Sequence, residues 1–263
     1  MAPVKCRHNV GTGAPTQVRT AATRRIERRT PEESGSLSEQ AYQRIRAEIL
    51  FYQLAPGSRL SEASLTERFS LRLAAVRSAL VRLVQEGLVE KADERTARVA
   101  PLTLKDVRDV YGLRLMLEPR AAALAAEGGV PAVDLQRLHA LAESHYEFTN
   151  HRELVAFLKA NREFNLLVAN HTGNARLAAV LTHLQDLTLR ILYVGIKSLN
   201  VSEWFHTTHV QIATAIGARD GARAAQLWET DLRYGERLIS DALLKLPELS
   251  GVNLGGASLG AGR

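Results

Sequence analysis

The sequence predicts a mostly α-helical protein, with an N-terminal winged helix-turn-helix followed by a C-terminal all-helical bundle. Three observations carry this reading. Three short amphipathic segments and then two β-like runs fit within residues 36–104. Helical periodicity then continues almost to residue 244. The positive charge is concentrated in the N-terminal half, with seven Lys/Arg against three Asp/Glu in residues 1–35, ten against eight in 36–104, and seventeen of each beyond.

Residues 1–35 mix Gly, Pro, Thr and Arg without an apolar period and are expected to form a disordered basic tail. Ser36 and Glu39 have capping-box spacing, and Ala41, Ile45 and Ile49 follow at helical intervals. Pro56-Gly57 ends this helix with a turn. Ser61 can cap a second short helix presenting Leu65 and Phe69. A third is expected from Leu73 to Glu86, burying Val76, Leu80, Leu83 and Val84, with Gly87 as its stop. Leu88–Lys91 and Ala97–Ala100, around the polar stretch Asp93–Thr96, predict a hairpin.

Thr103 with Asp106 marks the start of an apolar helix that closes at Gly128-Gly129. Further helices are expected near 131–149, 152–171, 175–198, 202–218 and 221–244, with Pro247 beyond the last. The domain reading is therefore a tail over 1–35, a winged helix over 36–104, an effector and dimerisation domain over 105–246, and a flexible tail over 247–263.

Composition excludes several classes. No window approaches the roughly 18 consecutive apolar residues of a membrane span, and the N-terminus lacks a secretory h-region. Cys6 is the only cysteine, so an intramolecular disulfide framework and a multi-cysteine zinc site are excluded. A cytoplasmic protein is expected. No Ser/His/Asp arrangement, glycine-rich phosphate loop or paired carboxylate motif points to an enzyme.

In a winged helix, the recognition helix places its N-terminal residues against base edges, while basic and hydroxyl side chains position the phosphates. Arg72, Arg77 and Arg82 recur every five residues, a step of about 500° that fans them around the helix rather than aligning them. Arg77 is the leading candidate for a phosphate or guanine contact, with Arg72 beside it. Arg95 and Arg98, with Thr96 between them, could reach a flanking groove or phosphates from the hairpin. The backbone N–H groups at Ser61 and Ser64 could face a phosphate. The competing assignment makes these arginines surface ion-pair partners of Glu67, Glu86 and Glu90.

The stretches Ala41–Leu50, Leu54–Glu62, Leu65–Phe69, Val76–Leu80 and Glu86–Glu90 together resemble the GntR-family winged helix. Asp109–Glu118 with Ala121–Ala126 resembles the opening of the FadR-like, all-helical FCD ligand domain. The resemblance spans about residues 38–244. It implies a DNA-binding transcription regulator with a small-molecule effector in the helical domain; a homodimer on a palindromic operator is expected because one winged helix contacts too few base pairs for useful specificity. The recognition helix departs from the family pattern. Leu73 stands at the base-reading Arg position, Ala74 and Ala75 stand for Thr and Pro, and Thr96 stands for the wing-tip Gly, while Arg77 is kept.

The resemblance also implies an internal polar site. Many family members carry a metal site of one Asp and three His, and the matching positions here read Asn161, Asn165, His209 and Asp231. Zinc prefers imidazole, thiolate and carboxylate to amides. A metal-free pocket is therefore preferred over a weakly held divalent ion on His209 and Asp231. In it the amides would hydrogen-bond the effector. Arg114 matches a ligand-facing family position, so a small acidic metabolite is expected; its competing partner is Glu118, one turn away. Arg190 is a second anion-binding candidate, with Asp186 as the competing partner. Two rival functions remain, a ligand-binding module that no longer reads an operator and a metal-dependent hydrolase resting on His209 and Asp231.

Overall fold

The computed structural model describes residues 36–93, 96–146, 150–198 and 202–245. The two expected tails, and Arg95 at the hairpin tip, lie outside these residues. The elements run α1 (Leu37–Leu50), β1 (Arg59–Ser61), α2 (Glu62–Phe69), α3 (Leu73–Gln85), β2 (Val89–Lys91), β3 (Thr96–Val99), α4 (Leu104–Gly128), α5 (Ala132–Ala142), α6 (His151–Asn170), α7 (Ala175–Ser198), α8 (Ser202–Gly217) and α9 (Gly221–Lys245).

Capping residues set the boundaries of the winged helix. Ser36 Oγ accepts the Glu39 N–H at 3.1 Å to start α1. The Glu39 carboxylate takes Gln43 and Arg82 instead of completing a capping box. Ser61 caps α2, and Ser70 ends it in the left-handed region. Gly87 follows α3 at φ +71°, where a side chain would be strained. Ile45, Ile49, Val76, Leu83, Leu88 and Val99 close the core beneath a small sheet.

That sheet has three strands in the order β1-β3-β2, all antiparallel. The sequence reading contained only the hairpin. Strand β1 is three residues long and buries Leu60 alone, so it has too little alternation to be read locally; its pairing with Thr96–Arg98 makes it a strand.

The helical domain starts with a full capping box, in which Thr103 and Asp106 each bond the other's backbone N–H. Helix α4 packs along α9. At Gly235 a Cβ would sit 3.1 Å from the Tyr111 hydroxyl, which is how closely the two helices approach. Helix α5 ends at Ala142, seven residues short of the expected limit of 149. Tyr146 leaves the helical path and packs on Phe157 of α6 at 4.8 Å between ring centroids, so tertiary burial overrides helix propensity there.

Helix α7 contains a 22-residue run, Ala175–Ile196, long and apolar enough by composition to cross a bilayer. Here it packs as a core helix. Leu181, Leu184, Ile191 and Ile196 are buried, and Gln185 and Thr188 are buried with internal hydrogen-bond partners.

Candidate functional site

Two groups of residues stand out, one on the winged helix and one inside the bundle. On the winged helix, Arg72 is the N-cap of α3 and makes no capping bond with its side chain, which is exposed. Arg77, five residues on, is 61% exposed, and its Nε meets Glu62 Oε2 at 2.7 Å. An exposed pair of this kind contributes little, so a phosphate can displace the glutamate. Arg82 faces away, lying over the Tyr42 ring at 3.5 Å and pairing with Glu39 and Glu86. It braces α3 against α1.

The other DNA candidates among the described residues are engaged within the protein. The Ser64 N–H is committed to Ser61 Oγ, and Glu62 places a negative charge in the first turn of α2. A phosphate at that helix end therefore meets a carboxylate. Arg98 is exposed and pairs with Glu90 across β2 and β3. The Thr96 N–H donates to Asp93 Oδ1 at 2.7 Å, which fixes the turn. Leu73 is 42% exposed at the leading end of α3, an apolar side chain where the family resemblance expects a base-reading Arg.

Inside the bundle, α4, α6, α8 and α9 converge on a cavity of about 10 Å³, room for about one water molecule. Arg114, Asn161, Asn165, His209 and Asp231 all line it, although they come from four separate helices. All five are buried.

The arrangement is held by a saturated carboxylate. Glu118 accepts from Arg114 Nε at 2.9 Å, Arg114 Nη2 at 3.1 Å, Gln185 Nε2 at 2.7 Å and Trp228 Nε1 at 2.9 Å. Four donors fill its lone-pair sites. Gln185 in turn accepts from Asn165 Nδ2 at 2.9 Å. The competing partner of Arg114 is thus its actual partner. The pair uses two of the five guanidinium N–H groups, and the buried Tyr111 lies beside the same guanidinium.

His209 stacks on Phe164 at 4.4 Å between centroids and 4° between planes, with its Nε2 3.9 Å from Asp231 Oδ2. Trp204 Nε1 donates to Asp231 Oδ1 at 3.1 Å. Burial, and then the Arg114 charge, pull the His209 pKa down to about 3. Burial pushes Asp231 up to about 7 against the opposing pull of Arg114 and Trp204.

A tight transition-metal ion does not fit this donor set. Only His209 and Asp231 are good ligands, and among the described residues no cluster of three or more His, Cys, Asp or Glu could hold an ion. The two amides are bonded to one another or to Gln185. The Arg114 guanidinium is close enough to shift both His209 and Asp231, and its charge is offset by Glu118.

Arg190 lies elsewhere. It does not line this cavity, and Asp186 is not its partner. It donates to the Ala100 carbonyl at the start of the segment leading into α4. Asp186 instead takes Arg46 of α1 and Arg162 of α6, at 2.7 Å from Arg162 Nη2. Sequence reasoning named Glu118 as the competing partner of Arg114 but missed Gln185, Trp204 and Trp228 as supports. Their only signal was polarity inside apolar helical runs.

A winged helix joined to a helical bundle around a closed polar pocket defines a two-part regulator, in which one part holds DNA and the other a small molecule. The comparisons agree. Residues 37–99 match the bacterial regulatory proteins of the gntR family, and residues 109–234 match the FCD domain. The transcriptional repressor GlaR of Escherichia coli K12 is 26% identical over 209 residues, covering 77% of this chain and 95% of GlaR. The transcriptional regulator LutR of Bacillus subtilis 168 is 30% identical over 210 residues, covering 72% of this chain and 94% of LutR. The solved structure of E. coli McbR/YncC superposes with a TM-score of 0.67 at 21% identity, over 79% of this chain and 98% of that one. The chain belongs to the gntR family, with an FCD domain following the winged helix. It is a DNA-binding transcription regulator with an effector-binding C-terminal domain.

Proposed function

We propose that this regulator is a repressor that binds a palindromic operator as a homodimer in the cytoplasm. A small carboxylate-bearing effector in the α4–α6–α8–α9 pocket would control its grip. One winged helix touches too few base pairs for useful specificity, which favours a two-fold assembly on a two-fold site. The observation that carries the effector reading is the buried Arg114, tied to Glu118 through only two of its donors and facing a cavity lined by amides and a neutral histidine.

The cavity holds about one water as it stands, so a metabolite must part the helices to enter. That movement is what would couple the pocket to DNA. Helix α7 is the route: Gln185 bonds Glu118 at the pocket, and the next residue, Asp186, grips Arg46 of the winged helix. Screening small mono- and dicarboxylates by thermal shift, with Arg114→Gln beside the wild type, tests the effector assignment. Stabilisation by a carboxylate that the variant loses supports it, and no stabilisation by any of them counts against it.

The exposed Leu73 favours one second reading, a ligand-binding module without operator discrimination. Comparison of operator and random duplexes separates the two.

A further inference from the structure

A second cavity, of about 370 Å³, opens where the winged helix meets the helical domain. This lies within the roughly 300–1,000 Å³ of small-molecule sites. The end of α3 and strand β2 supply Glu86 and Glu90; α4 supplies Asp106 and Val110; α7 supplies Leu187, Arg190 and Ile191. Arg190 is the unusual member. It is 4% exposed, forms no ion pair among the described residues, and its buried Nε has no hydrogen-bond partner. Its Nη2 donates to the Ala100 carbonyl. The buried Tyr52 hydroxyl lies beside the guanidinium, near enough that each shifts the other, but a neutral phenol supplies no counter-charge. A buried guanidinium in this state calls for a carboxylate.

The carboxylates of the cavity do not meet that need. Glu86 is engaged by Tyr42 and Arg82, Glu90 by Arg98, and Asp106 by Thr103. Each still has accepting capacity, and together they place negative charge around the same space. A simple anion would satisfy Arg190 but be repelled by them. A simple cation would leave Arg190 unpaired. A zwitterion satisfies both.

We propose that this cleft is a second ligand site, distinct from the pocket around Arg114, and that it takes an apolar α-amino acid. The carboxylate sits on Arg190, the ammonium faces Glu86, Glu90 and Asp106, and the side chain lies on Val110, Leu187 and Ile191. A ligand there touches both domains at once and fixes their relative placement.

Calorimetric titration of the full chain with L-leucine, L-valine and L-phenylalanine tests this. The controls are 4-methylpentanoate, which lacks the ammonium, and isoamylamine, which lacks the carboxylate. At least one amino acid is expected to bind, and loss of either charged group is expected to weaken binding by about tenfold or more. Arg190→Gln should abolish binding, and Asp231→Asn, in the other cavity, should leave it intact. If Arg190→Gln does not fold, Glu90→Gln carries the test, weakening the amino acid while sparing 4-methylpentanoate. No binding to the wild type at millimolar concentration overturns the proposal. So does binding that survives in a folded Arg190→Gln protein, or binding lost only in Asp231→Asn, which would place the ligand in the Arg114 pocket.

Discussion

Arg114 and Glu118 face each other one turn apart on α4, joined by two hydrogen bonds of 2.9 and 3.1 Å and both buried. The pair is the electrostatic centre of the helical domain. Gln185 from α7 and Trp228 from α9 close on the same carboxylate, so three helices depend on one side chain.

Glu118→Gln is expected to be strongly destabilising. It leaves the Arg114 charge buried without a counter-charge and gives the Trp228 and Gln185 donors a poorer acceptor. Loss of one partner from a buried pair costs about 3–5 kcal/mol. Chemical denaturation of the two proteins should show a shift of that order, and a shift below about 1 kcal/mol would mean the pair is not a structural centre.

His209 and Asp231 predict a hidden pH dependence. The His209 pKa is lowered from 6.5 to about 3, so the unfolded chain holds the extra proton between these values and His209 makes stability rise with pH there. The Asp231 pKa is raised from 3.8 to about 7, so the folded chain holds the extra proton and Asp231 makes stability fall with pH over that window. Between about pH 4 and 6.5 the two slopes oppose each other and largely cancel. Asp231→Asn removes one side of the balance. Relative to wild type, its stability should climb with pH across that interval, by at most about 1.4 kcal/mol per pH unit. Parallel stability curves for the two proteins would contradict the assignment.

Glu62 restrains Arg77, the residue proposed to meet DNA, which makes the two substitutions opposite in effect. Glu62→Gln should tighten DNA binding, because it frees the arginine and removes a charge that repels phosphate. Arg77→Ala should weaken it. If Arg77 reads a base, the loss is about 1–3 kcal/mol and confined to one sequence; if it meets a phosphate, the loss is uniform and the salt slope falls by about one.

Asp186 joins Arg46 of α1 to Arg162 of α6. Asp186→Asn should therefore loosen the hold on α1 without emptying the pocket. Amide exchange over residues 46–52 should accelerate by about tenfold or more, with the interior of α4 unchanged. Equal rates in the two proteins would remove Asp186 from the coupling route.

Much of the fold was legible in the sequence because local signals agreed with global ones. The Thr103/Asp106 helix start, the Gly87 stop and the buried Val76, Leu80 and Leu83 of α3 lie where the sequence reading placed them, while Val84 is only half-buried. Strand β1 and the early end of α5 were not legible, because pairing with Thr96–Arg98 and burial of Tyr146 are long-range events. In the candidate site, Arg114, Asn161, Asn165, His209 and Asp231 line one cavity, a grouping the sequence supplied only through family resemblance. Arg190 shows the limit of spacing arguments. An i−4 aspartate was at hand, yet Asp186 turns to Arg46 and Arg162, and Arg190 faces the junction between the domains.

The most direct measurement is fluorescence anisotropy of the protein with the duplex upstream of its own gene, beside a random duplex of equal length, at several salt concentrations. The expected result is a clear preference for the upstream duplex, an affinity that falls as salt rises, and loss of the preference or of affinity in Arg77→Ala. Equal and weak binding to both duplexes, unchanged by the substitution, would contradict operator recognition by α3 and leave the helical domain as the working part of the molecule.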